Sequence, residues 1–148
     1  MEIPDIIQLA LLIVTSLGLT YSVISNAHQT KMINRQLRLS FYTDYTKRYQ
    51  EIILNFPENI NDMKFSFDTL EPEVRNKTLR YMRAYFDLCS EEYDLFQKGL
   101  LEKDTWQNWE DGIKFAFTKT AFIQSWEKIK DDTIYYKSFT EWVNKHIQ

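Results

Sequence analysis

The sequence predicts an all-α protein, in which a single N-terminal transmembrane helix continues into a cytosolic bundle of about four to five helices. Three observations carry this expectation. Residues Ile6 to Ile24 form an uncharged, mostly apolar run of 19. Beyond the run, apolar side chains recur at spacings of three and four, the period of one helix face. No stretch alternates polar and apolar residues for long enough to suggest a sheet.

At about 1.5 Å per helical residue, the run spans roughly 28 Å, the hydrocarbon thickness of a bilayer. A cleavable signal peptide is the competing reading, and Ser25-Asn26-Ala27 offers a weak small-x-small pattern for it. However, a secretory signal opens with basic residues, whereas Glu2 and Asp5 precede this run. We therefore expect residues 1–27 to be an uncleaved anchor and residues 28–148 a cytosolic helical domain. Acids before the span, with Lys31, Arg35 and Arg38 after it, place the N-terminus outside the inner membrane and the C-terminal side in the cytoplasm. The single cysteine, Cys89, suits a reducing compartment.

A net charge of -3 conceals an uneven distribution: residues 26–48 carry five bases against Asp44, while the remainder is acidic. This basic collar lies where an anionic leaflet attracts cations, at about 1 kcal/mol per residue. Within the span, Thr15, Gly18, Ser22 and Ser25 recur at spacings of three and four and make one helix face small. Such a face lets helix backbones approach, which points to a homo-oligomer or to packing on another membrane protein, although Ser and Thr are also tolerated by bonding to their own helix.

Past the membrane, Leu37, Phe41, Tyr45, Tyr49, Ile52 and Phe56 form an apolar stripe. No Gly or Pro separates it from the anchor, so one long helix is expected, stopped by Pro57. Residues 57–70 read as a loop, in which Met63, Phe65 and Phe67 suggest folding back onto the domain. A second helix should start at Thr69 or Glu71 around Pro72, run with Leu79, Met82, Phe86, Cys89, Tyr93 and Phe96 inward, and end before Gly99. Asp104 or Thr105 should cap a third helix that carries Trp106, Trp109, Ile113 and Phe117 on its apolar face. A fourth segment holds Phe122, Trp126 and Ile129, and a fifth Tyr136, Phe139, Trp142 and Val143.

The run from Tyr85 to Val143 contains Tyr85-Phe86-Asp87-Leu88, Glu91-Glu92, Lys98-Gly99-Leu100-Leu101, Trp106, Trp109-Glu110-Asp111-Gly112-Ile113, Trp126, Tyr136 and Phe139. This aromatic and glycine spacing resembles a helical family of unknown function found in bacterial phage abortive infection proteins, commonly behind one or two membrane spans. The resemblance implies a cytosolic helical module on a membrane anchor in a defence setting, and it brings no catalytic residues.

The residues themselves offer little chemistry, and no catalytic residue, metal site or cofactor is expected. His28 and His146 lack partners at zinc-site spacing, and Gly18, Gly99 and Gly112 do not compose a phosphate-cradling loop. Cys89 lies in an apolar seam, where a thiol is usually core. On the second helix, Asn76, Arg80, Arg83, Asp87, Glu91, Asp94 and Lys98 share a polar face, read first as solvated and paired and otherwise as a partner surface. Glu92 lies about 100° around the helix from Glu91, so the two cannot act together as an acid and base pair without other residues. A second constellation sets Arg35, Arg38, Lys47 and Arg48 among Tyr42, Tyr45 and Tyr49, with Arg80 and Arg83 beside Tyr81 and Tyr85. Guanidinium forks grip phosphates and aromatic faces stack bases, so these six cations are candidates for a nucleotide second messenger or a protein partner. Duplex DNA does not fit an acidic domain. The expected function is that of a non-enzymatic, oligomeric membrane effector that senses a cytosolic cue. The alternative is a passive anchor that recruits a partner enzyme.

Overall fold

The computed structural model describes residues 3–130 and 137–147. Among these the protein is all-helical, with α1 (Ile3–Leu54), α2 (Pro72–Gln97), α3 (Lys103–Ala116), α4 (Thr120–Ile129) and α5 (Lys137–His146), and a short 3-10 turn at Phe67–Thr69. A long apolar N-terminal helix followed by a helical region is the expected class. The contacts divide the chain into two units, 1–46 and 47–148, and α1 contributes to both.

Among its described residues the first unit is helix alone. Its apolar segment is long enough to cross a membrane, and none of it is buried within the protein. Two hydroxyls of the segment turn back onto their own helix, Thr15 Oγ1 donating to the Leu11 carbonyl and Thr20 Oγ1 to that of Ser16. Tyr45 is buried, but Leu37 and Phe41 are 53% and 67% exposed. The inward stripe expected from Leu37 therefore fails in its first two members: their spacing aligns them on a row with Tyr45, but both side chains stay more than half exposed.

In the second unit the stripe continues through Ile52, which is buried, while Tyr49 remains 45% exposed. The helix closes at Leu54, before Pro57 is reached. The amides of Asn55 and Phe56 bond to the carbonyls of Ile52 and Ile53 at 3.1 Å, tightening the last turn to i→i−3 spacing. Asn55 Nδ2 adds a bond to the Glu51 carbonyl at 2.9 Å, satisfying another end group. Phe56 thus lies past the helix, with its ring edge-on to Phe122 at 5.9 Å.

The loop folds back as expected through Phe65 and Phe67, buried rings that meet edge to face at 5.0 Å, and Ile60 is buried as well. Met63 departs from expectation with its side chain 74% exposed. Its carbonyl accepts from Thr120 Oγ1 at 3.2 Å.

Pro72 opens α2 with Glu71 at the flanking position. Its missing N–H costs nothing in the first turn. At the other end Gly99 takes φ 67, and the amides of Gly99 and Leu100 bond to the carbonyls of Phe96 and Leu95 at 2.9 Å. This is a Schellman closure, in which a left-handed residue is needed and glycine supplies it without strain. Between its ends α2 is the central element, packing on α3, α4 and α5. Its buried face is accordingly wider than one seam and takes in Thr78, Tyr85, Leu88, Ser90 and Glu92 besides Met82, Phe86 and Cys89.

The start of α3 differs from expectation. Glu102 precedes the helix, and Asp104 and Thr105 lie within its first turn rather than capping it. Asp104 still faces the positive end of the helix dipole. Trp106, Ile113 and Phe117 are buried, but Trp109 is only half-buried. It stands about 60° around the helix from the line of the other three. Because α3 packs chiefly on α2, only a narrow strip of it is covered. Phe122, Trp126 and Ile129 on α4 are buried, as are Phe139, Trp142 and Val143 on α5, while Tyr136 lies outside the described residues.

These side chains make a core dominated by rings. Trp126 is edge-on to Phe86 at 5.0 Å and to Phe139 at 6.0 Å, Phe139 stacks on Trp142 at 5.8 Å, and Phe96 stacks on Trp106 at 5.0 Å. Such pairs contribute about 0.5–1.5 kcal/mol beyond area burial.

Candidate functional site

The six candidate phosphate-binding cations are divided between the units. Arg35 and Arg38 are exposed in 1–46; Lys47, Arg48, Arg80 and Arg83 belong to 47–148. Arg48 Nη1 lies 2.7 Å from Glu91 Oε2, joining the end of α1 to the polar face of α2. Both side chains are 44% exposed, so this pair contributes about 0.2–1 kcal/mol. Its chemical consequence is larger than its energy, because the guanidinium already faces a carboxylate.

Asp87 brings a second negative group to that face. Its carboxyl is held above the usual range by partial burial and by the charge of Glu91, with the Arg83 guanidinium acting in the opposite direction. The exposed cations Lys47 and Arg80 therefore share their unit with acids at Asp87 and Glu91. Further along the face, Lys98 Nζ pairs with Asp94 Oδ2 at 2.6 Å in the expected i,i+4 geometry.

Glu92 lies apart from this face. It is 5% exposed, and its charge acts on Tyr49, Tyr85 and Cys89. Tyr85 and Cys89 are hydrogen-bonded to each other. Burial pushes the Tyr85 phenol well above its ordinary range, with smaller contributions from Cys89, Tyr49 and Glu92. It also pushes the Cys89 thiol up, aided by Glu92 and opposed by the bond to Tyr85. A thiol held protonated and enclosed is a poor nucleophile. This buried polar group escaped the sequence reading, whose only signal for it was the row Tyr85, Cys89 and Glu92 at spacings of four and three.

A shallow depression of about 410 Å³ is lined by Phe67, Asp68, Ile123, Gln124, Glu127 and Lys128. Its charged groups are mixed in sign, and Lys128 Nζ lies 5.4 Å from the centre of the Phe67 ring. No group of three or more metal-ligating side chains occurs among the described residues.

On α1, Thr15, Gly18 and Ser22 are exposed and Ser25 is half-buried. The space a Cβ would occupy at Gly18 is open. Ser25 Oγ accepts from Gln29 Nε2 at 3.3 Å, so this row is tied to the residues that follow it.

The chain matches no family model, no curated protein and no solved structure.

Proposed function

We propose that this is a single-pass inner-membrane protein that acts without catalysis. In this reading α1 crosses the bilayer with its N-terminus outside. The helical unit faces the cytosol, receives a protein or nucleotide cue there, and acts on the membrane as an oligomeric effector. One observation carries the anchor: the whole apolar segment of α1 is uncovered by the protein. Left in water, side chains such as Leu12, Val14 and Leu17, each about two-thirds exposed, would forgo about 25 cal/mol for every Å² of apolar surface. Lipid is the solvent that removes this cost.

The defence setting rests on the resemblance carried by Tyr85 to Val143. The cue remains of phosphate or protein chemistry, with Arg35, Arg38, Lys47, Arg48, Arg80 and Arg83 as its candidate contacts. The engagement of Arg48 by Glu91 favours a second reading, a passive anchor whose α2 face recruits an enzyme, because a carboxylate already occupies one of the guanidinium groups a phosphate would need. A reporter fused after Gln148 tests the topology common to both readings. A cytoplasmic signal is expected, and a signal from the outer side would overturn the orientation and the cytosolic cue with it.

A further inference from the structure

The basic collar is one-sided. From Ile6 to Thr43 the chain carries Lys31, Arg35 and Arg38, the imidazole of His28, and no acid. Through this stretch α1 is one uninterrupted helix, so the bearings of these side chains around its axis are fixed. Measured from Lys31, His28 and Arg35 lie about 60° and 40° to one side and Arg38 about 20° to the other. Tyr21 and Ile24, at the end of the span, fall on the same face, about 80° and 20° from Lys31. The rest of the circumference from Ser25 to Thr43 is uncharged, and Asp44 stands about 140° from Lys31. With no carboxylate three or four residues away, the helix offers Lys31 and Arg35 no pair of its own. His28, Lys31 and Arg35 are exposed, and Tyr21 is 75% exposed.

We infer that His28, Lys31 and Arg35 form a binding site for the phosphate groups of anionic phospholipids in the cytosolic leaflet. The inference rests on the anchor and orientation proposed above. The topology rule counts cations near a span and is indifferent to their bearing, whereas a lipid site needs them together on one face. Their height fits as well: beyond Ile24 the three residues rise about 6, 10 and 16 Å along the axis. The polar layer of a leaflet is about 5–7 Å deep, so His28 lies within it. Helical side chains lean toward the N-terminus of their own helix, which for α1 is the membrane side, and long basic stems extend that reach. A tilt of about 20°, ordinary for a spanning helix, lowers the basic face further toward the headgroups. The Arg35 fork can then grip a phosphate with two N–H groups, Lys31 adds a point charge, and a His28 ring N–H donates a third contact. Tyr21 sits where a phenol favours the interface. Tethered beside the leaflet, these groups meet lipid phosphate at an effective concentration that a dilute soluble phosphate does not match. Arg35 is thereby withdrawn from the candidate contacts of a soluble cue.

Native mass spectrometry of the full chain released from detergent micelles, after titration with phosphatidylglycerol or phosphatidylcholine, tests this. The unaltered chain should retain phosphatidylglycerol several-fold over phosphatidylcholine. Lys31→Gln combined with Arg35→Gln should lower that retention to the phosphatidylcholine level. Arg35→Gln combined with Gln36→Arg keeps composition and net charge but moves the guanidinium to about 140° from Lys31, and it should lose most of the preference. All three positions are exposed, so neither variant disturbs packing. Equal retention of the two lipids, or a preference untouched by the exchange of positions 35 and 36, would overturn the site. Displacement of phosphatidylglycerol by inorganic phosphate would overturn lipid as its occupant. A chain that stays monodisperse in water once the detergent is removed would instead overturn the anchor on which the site depends.

Discussion

Trp126→Ala is expected to lower the unfolding free energy by about 3–5 kcal/mol, the cost of emptying a large aromatic site that cannot collapse. Trp126 is 2% exposed and meets Phe86, Phe117 and Phe139 at 5.0–6.0 Å, so its removal strips three ring contacts from the centre of the unit. Against a typical total of about 5–15 kcal/mol, that loss should shift the denaturation midpoint severely or abolish a cooperative transition. Trp109→Ala should cost clearly less, because solvent already reaches that ring and little void would remain. Denaturant unfolding of the full chain in detergent, followed by circular dichroism, separates the two. Equal losses at Trp109 and Trp126 would contradict the burial pattern of α3 and α4.

That comparison also marks where reading residues one dimension at a time stops. Trp109 and Trp106 look equivalent by spacing, yet how much of a helix face is covered depends on how many neighbours it has. For α3 the main neighbour is α2 alone. The same limit explains Leu37 and Phe41, whose row is visible in the sequence but whose cover is not. Local rules fared better wherever the chemistry is contained within a few residues. Pro72 opens α2 because its fixed φ and missing N–H suit a first turn, and Gly99 closes it because the closure needs a positive φ.

The candidate site was less legible than the fold. Arg48 and Glu91 are 43 residues apart and meet only once the end of α1 is placed beside α2. Glu92 is charged and therefore expected outside. Its burial follows from the breadth of α2 enclosed by three other helices, which no periodicity states.

The second large effect concerns the span. Val14→Arg combined with Leu17→Arg should abolish membrane integration, since each arginine at the centre of a spanning helix costs about 2.5–3.5 kcal/mol on an insertion scale. Both native side chains are about two-thirds exposed, so the change removes no internal contact of consequence. The variant should therefore leave the membrane fraction while keeping the helical signal of residues 47–148. A variant that stays with the membrane would place the anchoring force elsewhere in the chain.

Anchoring itself is the claim on which the oligomer, the orientation and the effector reading all depend. Its most direct measurement is the fraction of the unaltered full-length chain that stays with cell membranes through a urea wash, which releases proteins held only by surface contacts. Retention of nearly all of the chain is expected if α1 spans the bilayer from Ile6 to Ile24. Release of most of it into the wash would contradict a spanning helix.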